Sequence, residues 1–246
     1  MGQGAAENKP KMVATRDGFG EGLVELGKTN KNVVVLSADL TDSTRAAWFK
    51  KDFPDRFFGL GVAEQDMIGV AAGFALEGKT PFACTFGVFA SGRCWDQIRI
   101  SVAYMNLNVK IAGTHGGISV GPDGATHQAL EEIALMRILP NMTVIVPCDA
   151  IEAKKATIAA ANIKGPDYSR LGRSGVPVMT SKDDSFVIGK SMTLRKGNDV
   201  PIFACGQMVS EGALACDILA KDGISARLIN MHTVKPIDKE AIIRAA

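Results

Sequence analysis

The chain has 246 residues, 46% of them hydrophobic and 22% charged, which is enough to bury one large domain and part of a second. Its 28 basic and 26 acidic side chains leave a net charge of +2, excluding the concentrated basic excess of a nucleic-acid footprint. No apolar run approaches membrane-spanning length, and the N-terminal MGQGAAENKPKM lacks the apolar core of a signal peptide. The expected partner is a small molecule or another protein, with no membrane involved. Cys84, Cys94, Cys148, Cys205 and Cys216 form no CxxC pair. They read as reduced, buried thiols, and the protein is expected in the cytoplasm.

Residues 1–11 are small and polar and are expected to be disordered. From Met12 onward helices and strands alternate. Arg16–Leu26 has helical spacing, and the β-branched run Asn32–Asp39 suits a strand buried on both faces of a parallel sheet. Ala63–Leu76 reads as a helix, Pro81–Phe86 as a strand, Trp95–Met105 as a helix and Val109–Gly113 as a strand. Residues 128–139 read as a helix, Thr143–Val146 as a strand and Ile151–Ala161 as a helix. The pattern predicts an α/β fold with a doubly wound, mostly parallel sheet.

The stretch 173–185, RSGVPVMTSKDDS, is a turn-rich link. Beyond it come a hairpin-like segment (Ile188–Leu194), a strand (Val200–Cys205), a helix (Ser210–Ala220) and a strand (Ala226–Met231). The expected division is a first domain over 12–180 and a smaller, incomplete α/β C-terminal domain over 181–246. A βαβ piece of this size is small for an independent domain and is expected to lean on a neighbour.

Ligands of open α/β sheets bind beyond the carboxyl ends of the strands. The residues there are Asp39-Leu40-Thr41-Asp42-Ser43, Phe86-Gly87-Val88-Phe89 and the Gly-rich loop THGGISVGPDGATHQ. That loop carries His115 and His127, two of only three histidines, with Asp123 between them, and reads as functional. Glu64 opens a very apolar helix. It can serve there by complementing the helix dipole, or as a desolvated carboxylate that shares a proton with a ligand nitrogen. Phe86 and Phe89 are ordinary core residues by type, but past a strand end they could stack on a flat heteroaromatic ring. Arg16, Ser43, His115 and Arg170, if they converge, would make a phosphate site. There is no GDG followed by an Asn at the spacing of a metal-diphosphate cradle, and no GxxxxGK[ST].

The segments ATRDGFGEGL, LSADLTDS, GLGVAEQDMIGVAAGFAL, TFGVFASGRCWDQIR, GTHGGISVGPDGATHQALEEIALMRILPNMTVIVPCD, YSRLGR and INMHTVKPID occur in this order. Together they resemble the C-terminal section of the transketolase family, and the VAEQ and GPDGATHQ blocks are its specific parts. The resemblance implies a pyrimidine-binding domain followed by the start of the family's C-terminal domain. It also implies thiamine diphosphate as cofactor, with Mg²⁺ or another divalent cation held by a separate N-terminal, diphosphate-binding subunit. Glu64 matches the glutamate that bonds the aminopyrimidine N1′. Phe86 matches the aromatic residue that stacks on that ring, with Phe89 in the same pocket. His127 resembles the histidine near the substrate C1 hydroxyl and carbonyl oxygen, and Asp123 the aspartate that reads the acceptor C2 hydroxyl. Arg16, Ser43, His115 and Arg170 match the groups that hold the sugar phosphate. Asp39 matches a position near the substrate and the subunit boundary.

The implied activity is two-carbon ketol transfer between phosphosugars, by the small subunit of a split enzyme in an α2β2 heterotetramer. The β subunit of a 2-oxo acid dehydrogenase, a deoxyxylulose-phosphate synthase-like enzyme and a non-catalytic regulatory subunit are the alternatives.

Overall fold

Seven strands form the central sheet of this computed structural model, which describes residues 11–246. Apart from Lys11, the N-terminal stretch expected to be disordered lies outside the described residues. A short strand β1 (Met12–Ala14) leads into α1 (Thr15–Thr29), followed by β2 (Val33–Ser37), α2 (Ala46–Asp52) and β3 (Phe57–Gly59). Next come α3 (Glu64–Leu76), β4 (Thr80–Phe86), α4 (Trp95–Gln97), β5 (Lys110–Thr114), α5 (Glu132–Ile138) and β6 (Thr143–Ile145). The first part ends with α6 (Ala150–Asn162), β7 (Asp167–Arg170) and β8 (Gly175–Pro177), the last pairing antiparallel with β1.

The sheet order is β12-β6-β7-β5-β4-β2-β3, parallel throughout except at β12 (Thr233–Lys235). Winding runs outward from β2 to β3, and from β4 through β5 the other way, so the switch point lies between β2 and β4. Their carboxyl ends are where a crevice opens in such a sheet.

Both faces of the sheet are covered, which explains its uninterrupted apolar strands. Val33 and Val35 point to one side, where Phe19, Leu23, Phe49, Phe82 and Ala153 join them under α1, α2 and α6. Val34 and Leu36 point to the other, against Met67, Ile68, Ile98, Ile111 and Met136 under α3, the helical segment after β4 and α5. The approach of α1 to α6 depends on Gly18, where an added Cβ would collide with the Ala150 carbonyl.

Several elements differ from expectation. Trp95–Met105 is one turn of α-helix followed by a π-helical stretch, Ile98–Tyr104, and a second π-helical turn covers Phe89–Arg93. The helix expected over 128–139 begins only at Glu132, because Ala129 is taken up by a bridge to Gly116 and accepts from the Gly117 amide at 2.8 Å.

The C-terminal part holds β9 (Met192–Arg195), β10 (Val200–Ala204), α7 (Met208–Lys221), β11 (Ala226–Asn230), β12 and α8 (Lys239–Ala245). Here β10 and β11 pair in parallel, as expected of a βαβ unit. The hairpin-like segment is instead the single strand β9, antiparallel to β11. The expected leaning on a neighbour takes a specific form: β12 returns to the main sheet and covers the β6 edge. At the same junction Glu152 accepts from the Cys148 amide at 2.7 Å and from Asn230 Nδ2 at 2.7 Å.

Candidate active site

The three loops singled out in the sequence follow β2, β4 and β5, neighbouring strands on both sides of the switch point. Two of these strand ends hold a non-glycine residue in the left-handed region, Asp39 at φ 58° and His115 at φ 60°. Such conformations carry strain and cluster at functional sites.

Glu64 is the first residue of α3 and only 2% exposed. Its surroundings are not purely apolar, as the sequence had suggested. Arg93 Nη1 donates to Glu64 Oε2 at 2.8 Å, and the half-exposed Arg93 guanidinium lies 4.7 Å from the Phe89 ring centroid. Beside this pair stands an aromatic wall. Phe86 and Phe89 lie nearly parallel, 5.9 Å apart at 9°, and Phe86 also stacks on His115 at 3.8 Å. The His127 ring meets Phe86 and Phe89 edge-on at 6.2 and 5.3 Å. Residues from three strand ends therefore share one surface.

His115 is buried, with Nδ1 3.0 Å from Thr114 Oγ1 and Nε2 3.4 Å from Arg16 Nη1. Arginine can only donate, so Nε2 accepts and Nδ1 carries the proton. Burial first, and then the charges of Arg16 and Arg173, push the imidazole down to about 4, with Asp123 opposing. His115 is a neutral hydrogen-bonding group at pH 7. Arg16 Nη1 also donates to the Ser43 carbonyl at 2.9 Å, while Arg16 Nε is buried with no partner among the described residues. An unsatisfied buried guanidinium nitrogen beside a neutral imidazole suits an incoming anion.

Arg16, Ser43 and His115 are thus brought together, with Ser43 facing Arg16 through its carbonyl oxygen. Asp39 and Ser43 line one groove of about 400 Å³ with Thr41, Asp42 and Lys50. Asp123 is exposed at the tip of the Gly-rich loop. Arg170 is placed differently: its Nε donates to the buried Glu132 Oε1 at 2.6 Å, behind the loop backbone. A Cβ on Gly116 or Gly117 would lie 2.7 Å from the Arg170 guanidinium, so a side chain there would have to displace Arg170 from Glu132, and Gly117 also sits at φ 83°.

Sequence reasoning missed four charged residues. Arg93 follows Phe89 by four positions, a spacing that could have flagged it. Arg45, whose Nε donates to Asp17 Oδ1 at 2.6 Å, and Arg173, packed on Gly121, lie close enough to act on His115. Glu132 gave no local signal, since its burial comes from tertiary packing. Among the described residues no group of three or more His, Cys, Asp or Glu is placed to hold a metal ion. A separate cleft of about 540 Å³ lies between α1 and α6, lined by Glu21, Glu25, Lys154 and Lys155 among others.

The family models for the transketolase pyrimidine-binding domain and the transketolase C-terminal domain match residues 11–178 and 189–246. The chain belongs to the transketolase family. It is 51% identical to a putative transketolase C-terminal section from Methanocaldococcus jannaschii, over 92% of this chain and 72% of that protein. It is 43% identical to a 6-deoxy-6-sulfo-D-fructose transketolase subunit from a Clostridium species, over 94% of this chain and 72% of the relative. A solved split-gene transketolase, described as an inactive β4 tetramer, superposes with a TM-score of 0.89 at 49% identity, covering 96% of this chain and 77% of that one. The fold expectation, a mostly parallel α/β pyrimidine-binding domain with a smaller α/β C-terminal part, agrees with these transketolase matches.

Proposed function

We propose that the chain is the pyrimidine-binding small subunit of a split, thiamine-diphosphate-dependent transketolase, transferring a two-carbon ketol unit from a ketose phosphate to an aldose phosphate. The carrying observation is the buried carboxylate of Glu64 beside the Phe86–Phe89 wall, at the switch point of the sheet. A carboxylate and a parallel aromatic pair fit an aminopyrimidine, which needs a carboxyl group to share a proton at N1′ and a face to stack on. No observation favours the dehydrogenase, synthase-like or non-catalytic readings over this one.

Thiamine diphosphate, when bound, supplies the nucleophilic carbon and the electron sink for the two-carbon unit. The chain's own residues bind and orient. Glu64 holds N1′ and moves a proton at that atom, while Phe86 and Phe89 offer the stacking face. His127 meets the donor C1 hydroxyl and carbonyl oxygen, and Asp123 the acceptor C2 hydroxyl. Arg16 offers its free Nε to the terminal anion and is oriented by neutral His115 and the Ser43 carbonyl; Arg170 adds its remaining guanidinium N–H groups, with Asp39 at the rim. Two relatives are named for their sugars: the sulfofructose transketolase subunit, and an apulose-4-phosphate transketolase subunit from Phocaeicola vulgatus. Both of those sugars carry an anionic group.

The diphosphate and its Mg²⁺ belong, in this proposal, to a large N-terminal subunit, and the working assembly is an α2β2 heterotetramer in the cytoplasm. Among the described residues no helix is long and apolar enough to cross a membrane. The proposed division keeps 12–180 as the pyrimidine-binding domain and 181–246 as the C-terminal domain, with β12 bridging back to the first. The test is a ketol-transfer assay with a ketose phosphate and an aldose phosphate on the chain reconstituted with its large subunit. Transfer that depends on both chains and on added cofactor supports the reading. Absence of transfer from the reconstituted pair removes it.

A further inference from the structure

Arg93 touches two of the groups assigned above to the pyrimidine. Its Nη1 donates to Glu64 Oε2 at 2.8 Å, and its guanidinium carbon stands 4.7 Å from the centroid of Phe89. One cation thus covers the acceptor and part of the stacking face at once. Its backbone is anchored, since Gln65 Nε2 donates to the Arg93 carbonyl at 2.9 Å and the residue closes the π-helical turn Phe89–Arg93. Its side chain is not, being 48% exposed at the mouth of the site while Glu64 is 2% exposed. The main chain holds Arg93 in place and leaves the guanidinium able to swing into water.

Electrostatics opposes sharing. A ring nitrogen that binds against the Glu64 carboxylate with a proton drawn from water is cationic, and a guanidinium left on the same carboxylate would repel it at short range. Removing Arg93 from Glu64 costs little if the ring nitrogen takes its place, because the carboxylate then keeps a partner. An uncompensated Glu64 in the unliganded chain would be far more costly, which accounts for a long cation at this position.

Resting on the proposed function, we infer that Arg93 is a gate on the pyrimidine half-site: it pairs with Glu64 and covers Phe89 in the chain as it stands, and yields both to the aminopyrimidine. Arg93 is therefore a positioning residue that acts through Glu64. It keeps the carboxylate satisfied until the cofactor arrives, at the cost of some cofactor affinity.

The test is calorimetric titration of thiamine diphosphate, with Mg²⁺ present, into the chain assembled with its large subunit. Wild type is compared with Arg93→Met, Arg93→Lys, Glu64→Gln and the double variant Arg93→Met/Glu64→Gln. A gate predicts about threefold to tenfold tighter binding for Arg93→Met, the range of a partly exposed ion pair. It also predicts near-wild-type binding for Arg93→Lys, and a gain from Arg93→Met that shrinks in the Glu64→Gln background. Weaker or unchanged binding by Arg93→Met, or an undiminished gain without Glu64, overturns the gate. No cofactor binding by the wild-type assembly would instead remove the functional reading on which the gate rests.

Discussion

Arg170 Nε donates to Glu132 Oε1 at 2.6 Å directly behind Gly116 and Gly117, so a buried ion pair supports the loop that carries both site histidines. The side chain of Glu132 is 1% exposed, and its partner is mostly buried. Glu132→Ala leaves the guanidinium without a counter-charge, and removing one partner of such a pair costs roughly 3 kcal/mol. Thermal unfolding of the variant is expected at a clearly lower temperature, with Glu132→Gln intermediate. A Tm equal to wild type would show that the pair does not support the loop.

The anion assignment rests on two arginines. Arg16→Ala and Arg170→Ala are each expected to raise KM for phosphorylated acceptors by tenfold or more, on the order of 1.4 kcal/mol. KM for unphosphorylated analogues should change far less. Equal effects on both substrate types for Arg170→Ala would leave that residue as a loop support through Glu132, and Arg16 with His115 as the anion site.

Glu64→Gln keeps the size and burial of the side chain but removes its capacity to move a proton. Subunit assembly, followed by sedimentation, should be unchanged. Ketol transfer should fall by about a hundredfold or more, the usual contribution of a positioned acid–base group. Retained turnover would contradict the role given to Glu64.

Acid sensitivity has a defined sign. His232 is 2% exposed, stacked on Phe186 at 4.2 Å, and burial pushes its imidazole down to about 4, with Asp238 opposing. Because the folded pKa is depressed, the unfolded chain binds more protons between about pH 6.5 and 4. The stability this ring contributes is complete above pH 6.5 and is lost as pH falls toward 4. His232→Gln should fall less steeply over that window in a denaturant titration series. A slope identical to wild type would contradict the buried neutral ring.

Much of the fold was readable in the sequence wherever one face or one strand decided the matter. The run Val33-Val34-Val35-Leu36 could only be a strand covered on both sides, and the Gly-rich loop announced itself by holding His115 and His127 around Asp123. What escaped depended on contacts between distant segments. Residues 128–131 have helical character, but Ala129 bridges to Gly116, and Thr233–Lys235 reads as a short apolar–polar stretch until β6 offers an edge. Nothing local to Glu132 marks Arg170, 38 residues away, and the spacing of Arg93 from Phe89 does not point to Glu64, 29 residues away. The helix after β4 breaks into π-helical turns around Phe89 and Arg93, a local distortion common at functional sites.

The central claim is that the site is shared between two chains, and cofactor binding tests it most directly. Thiamine diphosphate with Mg²⁺ would be titrated by calorimetry into this chain alone, and then into its mixture with the large subunit. Saturable binding in the mixture, with none by the chain alone, is the predicted result. Tight binding by this chain alone would contradict the account, because the diphosphate and its metal would then be held by residues assigned no such role.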